Sequence, residues 1–173
     1  MNLGDKIFSG AIWSFIERIS TQIVQFVLGI FLARILSPKD YGLIGLLTVF
    51  IVISQVFVDS GFTKALIQKK ERTKEDISTV FIFNLLISIV CYGILWFTAP
   101  LISGFYDIEI LTSLLRVLSI SLIINALFTV PATLVSINLN FKLFAKINFI
   151  AVILSGCTAI YLAHTGFGVW SLV

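Results

Sequence analysis

Charge is what this sequence has least of. Asp, Glu, Lys and Arg make up 12% of its 173 residues, about half the ~25% usual in soluble domains. A chain so poor in charge cannot cover a globular surface with solvated groups, and its basic residues have no exposed aromatic platform, so no nucleic-acid partner is expected. Histidine is nearly missing too: His164 stands alone, and the two cysteines, Cys91 and Cys157, both fall inside apolar runs. Metal sites need three or four such ligands at close spacing, so neither a metal nor another cofactor is expected, nor a disulfide. There is no Gly-rich phosphate loop and no Ser-His-Asp set, and the acids inside apolar segments are only Glu17 and Asp59. The chain is not expected to be an enzyme.

What is present is apolar surface. Hydrophobic residues reach 58%, sixteen of them Phe, and mean hydropathy is +1.07. Crossing the hydrocarbon takes about 20 largely apolar residues. Five segments have that length, at roughly 10–35, 41–63, 78–100, 112–136 and 146–164, and a sixth starts near Gly168-Val169-Trp170. Strands of such lengths are excluded, and only closed helical hydrogen bonding satisfies a backbone in lipid. The expected fold is therefore all-α and integral to the membrane: about five transmembrane helices plus the start of a sixth. The first run is too long for a secretory signal, contains Glu17 and Arg18 and lacks a small-residue cleavage site, so it is read as a retained span.

Boundary chemistry supports these segments. Ser37-Pro38-Lys39-Asp40 resembles a capping box with proline at the first helical position, and Thr73-Lys74-Glu75-Asp76 repeats the spacing. Ala99-Pro100 is expected to close the third span, with Ser103 to Asp107 as a short polar loop. Pro131 should kink the fourth, with Thr129 and Thr133 helping to satisfy the freed carbonyl.

Orientation follows from the basic residues. With the N-terminus in the cytoplasm, Lys6, Arg18, Lys64, Lys69, Lys70, Arg72, Lys74, Lys142 and Lys146 lie inside, and Arg34, Lys39 and Arg116 outside. Nine against three accounts for all twelve and fits the positive-inside rule. The Lys64–Lys74 loop acts first as a topology determinant, though it would also attract anionic headgroups. Trp13, Trp96 and Trp170 lie near span ends, as in an interfacial belt.

Function is sought where polar groups sit in spite of the solvent. Ser14, Arg18, Thr21, Gln25 and Gly29 share one face of the first span, flanked by Glu17 and Gln22. Gly45, Thr48, Val52, Gln55 and Asp59 form a comparable stripe on the second. Arg18 lies 20 residues before Pro38 and Asp59 lies 21 after it, so an antiparallel hairpin brings both to nearly one depth. The two stripes are expected to face each other or a shared cavity. Two readings of Arg18 and Asp59 stand side by side, a structural ion pair or a working site. Ser121, Asn125, Thr129, Ala132 and Ser136 on the fourth span, with Asn84 and Ser88 on the third, suit interhelical hydrogen bonds as well as substrate contact.

Several stretches also resemble a known family. Trp13-Ser14-Phe15-Ile16-Glu17-Arg18, the run Gln25 to Leu43 with its Leu32-Ala33-Arg34-Ile35-Leu36-Ser37-Pro38-Lys39-Asp40-Tyr41-Gly42 core, Asp59-Ser60-Gly61-Phe62-Thr63-Lys64 and Gly166-Phe167-Gly168-Val169-Trp170 are similar to bacterial polysaccharide flippases. These belong to the multidrug/oligosaccharidyl-lipid/polysaccharide exporter superfamily. The resemblance implies the N-terminal lobe of a 12–14 helix exporter in the bacterial inner membrane. Such an exporter moves undecaprenyl-diphosphate-linked oligosaccharide between leaflets by alternating access. It further implies, as partners, lipid-linked oligosaccharide, membrane lipids, a C-terminal lobe that this chain lacks as a fragment, and polysaccharide polymerase and export machinery. Under that reading Arg18 holds the diphosphate, Gln22, Gln25 and Gln55 hydrogen-bond the ligand, Glu17 and Asp59 serve as charge or coupling partners, and Arg34 is a gate or interface anchor. A multidrug exporter of the same superfamily is one alternative, disfavoured by Arg18 in the polar stripe. A membrane enzyme of glycan assembly is another, disfavoured by the short external loops.

Overall fold

The computed structural model describes residues 3–59, 61, 65, 73–137 and 141–173, with the side chains at 3–14, 16, 17, 136, 137 and 141–144 outside the description. Every regular element among them is helical: α1 (Leu3–Ile35), α2 (Pro38–Val58), α3 (Lys74–Tyr106), α4 (Ile110–Leu118), α5 (Ile120–Ile137), α6 (Phe141–His164) and a 3-10 helix (Gly168–Leu172). Five stretches are long and apolar enough to cross a bilayer: Arg18–Ile35, Pro38–Val58, Lys74–Tyr106, Ile110–Val135 through α4 and α5, and Ala145–His164. Large apolar side chains stand exposed along all of them, Phe97 to 78% and Phe105 to 83%. Water does not tolerate that much apolar surface, whereas acyl chains do. The chain is an all-α, multi-pass membrane protein.

Both expected capping boxes form. The Asp40 amide donates to Ser37 Oγ at 3.3 Å while the Ser37 amide donates to Asp40 Oδ2 at 3.0 Å. Pro38 then opens α2, where its missing N–H costs nothing. At α3 the Asp76 amide donates to Thr73 Oγ1 at 3.2 Å, and the Thr73 amide returns to Asp76 Oδ2 at 3.0 Å.

The Pro100 expectation needs correction, as does the role given to the threonines beside Pro131. α3 runs through Pro100 to Tyr106, so Ser103 to Tyr106 are helical and the turn falls at Asp107 to Glu109. A proline removes one donor, while ending the helix there would free several carbonyls in lipid, which costs more. The helix instead ends on Asp107, left-handed at φ 56°, whose N–H donates to the Ser103 carbonyl. Pro131 lies inside α5, as expected. Thr129 and Thr133 donate to the Asn125 and Thr129 carbonyls at 2.7 and 2.8 Å, not to the Leu127 carbonyl that proline leaves free. The fourth span is interrupted at Ser119, between α4 and α5, where Ser119 Oγ donates to the Arg116 carbonyl at 2.9 Å.

The chain divides into two compact units. One comprises residues 1–41 and 134–172. In it α1 packs along α6 through buried Leu32, Leu36 and Ala163, joined by Ala159, Ile160 and Leu172. Lower down Leu28 fills the space over Gly156: a β-carbon there would lie 2.8 Å from Leu28 Cδ2 and 3.0 Å from Cγ. Leu28 beside Gly156 and Leu36 near Ala163 mean that the helices run parallel. A turn with Gly166 at φ 88° then leads into the 3-10 helix.

The second unit comprises residues 42–133 and 173. Its buried positions recur at helical spacing: Leu43, Leu47, Ser54 and Val58 on α2, Val80, Asn84, Ser88, Leu95, Ala99 and Ser103 on α3, and Leu122, Ala126, Val130 and Thr133 on α5. α4 folds back on α3 with Leu111, Leu114 and Leu115 fully buried. An apolar groove of about 650 Å3 between α2 and α3 is lined by Phe50, Ile53, Phe57, Ile94, Leu101 and Phe105, among others.

Candidate functional site: polar groups on the spanning helices

Most hydroxyls in the spans are satisfied by their own helix. Thr48 donates to the Ile44 carbonyl at 2.7 Å, Ser54 to Phe50 at 2.9 Å, Ser88 to Leu85 at 2.8 Å and Thr98 to Ile94 at 2.8 Å. Such bonds keep a hydroxyl quiet in hydrocarbon and leave little to offer a ligand. They remove Thr48, Ser88 and Thr129 from the set of groups that need a partner. Longer amides and ions cannot be settled this way so readily, and they are what remains.

On α2 the buried residues occupy one face. Thr48, Val52 and Asp59 are exposed on the other, with half-buried Gln55 among them. Gln55 Nε2 donates to Asp59 Oδ1 at 3.1 Å, one helical turn apart. Gln55 Oε1 is enclosed and unpartnered among the described residues. The pair thus presents an exposed carboxylate, with the unpartnered amide oxygen enclosed beside it.

On α1, Arg18, Gln22 and Gln25 are exposed and Thr21 is half-buried, its enclosed hydroxyl without a partner among the described residues. Gln25 lies seven residues and Arg18 fourteen before Leu32, so the polar stripe and the apolar contact with α6 share one face of the helix. One half of that face is covered by α6 from Gly156 onward; the other half carries the polar groups. No described carboxylate pairs with Arg18. Arg34 is exposed in the last turn of α1, where a cation complements the helix dipole.

The structure joins Gln55 to Asp59. Arg18 and Asp59 belong to different units and are described separately. The side chains of Glu17, Trp13, Ser14, Ser136, Lys6 and Lys142, and the loop residues Lys64, Lys69, Lys70 and Arg72, lie outside the described residues.

One arrangement was missed in the sequence. The Arg116 guanidinium sits over the Trp96 ring, 4.5 Å from its centroid, and Tyr92 tilts against the same indole at 5.7 Å. Trp96 was read only as belt and Arg116 only as an outer charge. The signal was available, since both lie about a dozen residues or fewer from the Asp107 turn, on opposite strands of one helical hairpin.

With polar groups held on membrane helices, similarity to known proteins decides the class. The profile of the family described as "Polysaccharide biosynthesis protein" matches residues 31–173. The chain belongs to that family. Among its relatives, the teichuronic acid biosynthesis protein TuaB of Bacillus subtilis is 31% identical over 150 residues, covering 87% of this chain and 31% of the relative. The succinoglycan biosynthesis transport protein ExoT of Rhizobium meliloti is 30% identical over 162 residues, covering 93% and 33%. The lipopolysaccharide biosynthesis protein WzxC of Escherichia coli is 27% identical over 124 residues, covering 72% and 25%. The chain thus spans about a third of the length of these curated relatives. No solved structure matches it. Within this family, Arg34, Pro38 and Asp40 fall in the matched region, whereas Arg18, Gln22 and Gln25 precede it.

Proposed function

We propose that this chain forms the N-terminal lobe of a transporter that moves lipid-linked oligosaccharide across the bacterial inner membrane for polysaccharide export by alternating access, with the N-terminus in the cytoplasm. The observation that carries the reading is that Arg18, Gln22 and Gln25 stand exposed on one membrane-spanning helix, while half-buried Gln55 on another bonds exposed Asp59 at its end. Ionised and amide groups at such places are costly unless they meet water or a ligand. Family membership and relatives named for polysaccharide biosynthesis and transport support the substrate class.

In this mechanism Arg18 binds the diphosphate, since a guanidinium pairs bidentately with phosphate oxygens and holds its charge in a low dielectric. Gln22, Gln25 and Gln55 replace the waters that the phosphates and first sugars lose. Glu17 and Asp59 balance the cation or couple to a proton or cation. The sixth helix and a C-terminal lobe complete the cavity, and polymerase and export machinery take up the product. Arg34 anchors or gates the outer end.

The test uses a full-length protein carrying this chain. Arg18→Ala should abolish polysaccharide at the cell surface while the protein still inserts into the membrane, and Arg18→Lys should retain part of it. Normal display in Arg18→Ala would remove Arg18 from the mechanism.

A further inference from the structure

We infer that Arg116 and Trp96 form a phosphate-binding site for a lipid headgroup, at the end of the α3–α4 hairpin that carries the Asp107–Glu109 turn. This inference goes beyond the transport reading and stands without it. It starts from depth. Trp96 lies ten residues before the end of α3 at Tyr106, and Arg116 six after the start of α4 at Ile110, about 15 and 9 Å along their axes. With 33 residues, α3 is about 50 Å long, some 20 Å more than the hydrocarbon core. Shared between both ends, that excess puts Tyr106 about 10 Å outside and Arg116 close to the hydrocarbon boundary. Phosphates are the anions found at this level.

The guanidinium is held for such a partner. The Trp96 ring covers one face at 4.5 Å, which orients the planar fork and lowers the cost of a cation at the edge of the apolar layer. Arg116 Nε is enclosed and has no hydrogen-bond acceptor, and no described residue forms an ion pair with the side chain. Asp107 and Glu109, the nearest acids in sequence, are exposed on the turn. A purely structural arginine at this depth would normally close on a carboxylate or a carbonyl. Here the indole supplies orientation but no hydrogen-bond acceptor; a phosphate oxygen meets the outer Nη groups, for which no described residue supplies an acceptor, while the enclosed Nε stays behind them. Trp96 is 37% exposed, so the platform is open to the lipid phase.

The test keeps the whole chain, reconstituted in nanodiscs, with Trp13→Phe and Trp170→Phe leaving Trp96 as the sole tryptophan. Brominated phosphatidylglycerol and a brominated galactosyl diacylglycerol, which has no phosphate, are titrated separately, and quenching of Trp96 is read. Phosphatidylglycerol should quench at about tenfold lower mole fraction, the worth of one charge-assisted hydrogen bond. That preference should vanish in Arg116→Gln and persist in part in Arg116→Lys. Equal quenching by both lipids, which requires no Arg116 variant to fold, overturns the site, as does an unchanged preference in a folded Arg116→Gln. Unbrominated polyprenyl diphosphate added at low mole fraction identifies the source: relief of quenching assigns the site to a polyprenyl-linked phosphate, and no relief assigns it to bulk phospholipid.

Discussion

Packing constrains the backbone at Gly156, and the end of α3 constrains it at Asp107. Leu28 occupies the place where a side chain at 156 would begin. Gly156→Val should therefore separate α1 from α6 and lower stability by about 1–3 kcal/mol, the usual cost of overpacking. Adding Leu28→Ala should recover most of that loss, which a double-mutant cycle on unfolding in detergent will measure. A recovery of nothing would mean that the two residues do not touch. Asp107 holds φ 56° in order to end α3. Glycine adopts that conformation without a side-chain clash, so Asp107→Gly should gain up to about 1 kcal/mol and Asp107→Val should lose more than that. The glycine at 156 was visible in the sequence, but its neighbour was not, because a close contact between residues 128 positions apart leaves no local trace.

Among the elements, the two capped helix starts were legible and the end of α3 was not. Ser37-Pro38-Lys39-Asp40 and Thr73 to Asp76 bond within three residues, and so are written in the local sequence. Thr73→Ala should cost about 1 kcal/mol by removing the acceptor for the Asp76 amide. Loss of helicity at 74–77 on hydrogen exchange, with the rest of α3 protected, would locate the effect. The expected end at Pro100 did not form, Pro131 lies inside its helix as expected, and an interruption appeared at Ser119. Proline rules come from water, where a broken helix exposes its carbonyls to solvent. In lipid the intact helix is worth more than the single lost bond. The hydroxyl stripes likewise were legible as spacing, but their role was not: the Thr48 and Thr129 hydroxyls had already been taken by their own helices.

For the molecule as a whole, orientation decides which leaflet each polar group meets. In the proposed orientation, which rests on the nine-to-three split of basic residues, the Asp107 turn lies outside. In a Cys91→Ala, Cys157→Ala background, a cysteine replacing Asp107 should react with a membrane-impermeant maleimide on intact cells. One replacing Lys69 should react only after permeabilisation. The reverse pattern would invert the topology and move Arg18 to the opposite leaflet. The chain's share of about a third of its relatives' length matters at this scale too, since the polar faces of α1 and α2 belong to separate units here.

By itself the sequence determined the membrane solvent, the helical class, the number of span-length segments and the capped helix starts. Each of these follows from composition or from bonds within a few residues, and lipid leaves a backbone few other solutions. Only tertiary structure decided that the polar face of α1 continues into a contact with α6, that Leu28 closes over Gly156, and that Arg116 rests on Trp96. Those depend on which apolar surfaces pack together, and in hydrocarbon one apolar face is nearly as good a neighbour as another until shapes are matched.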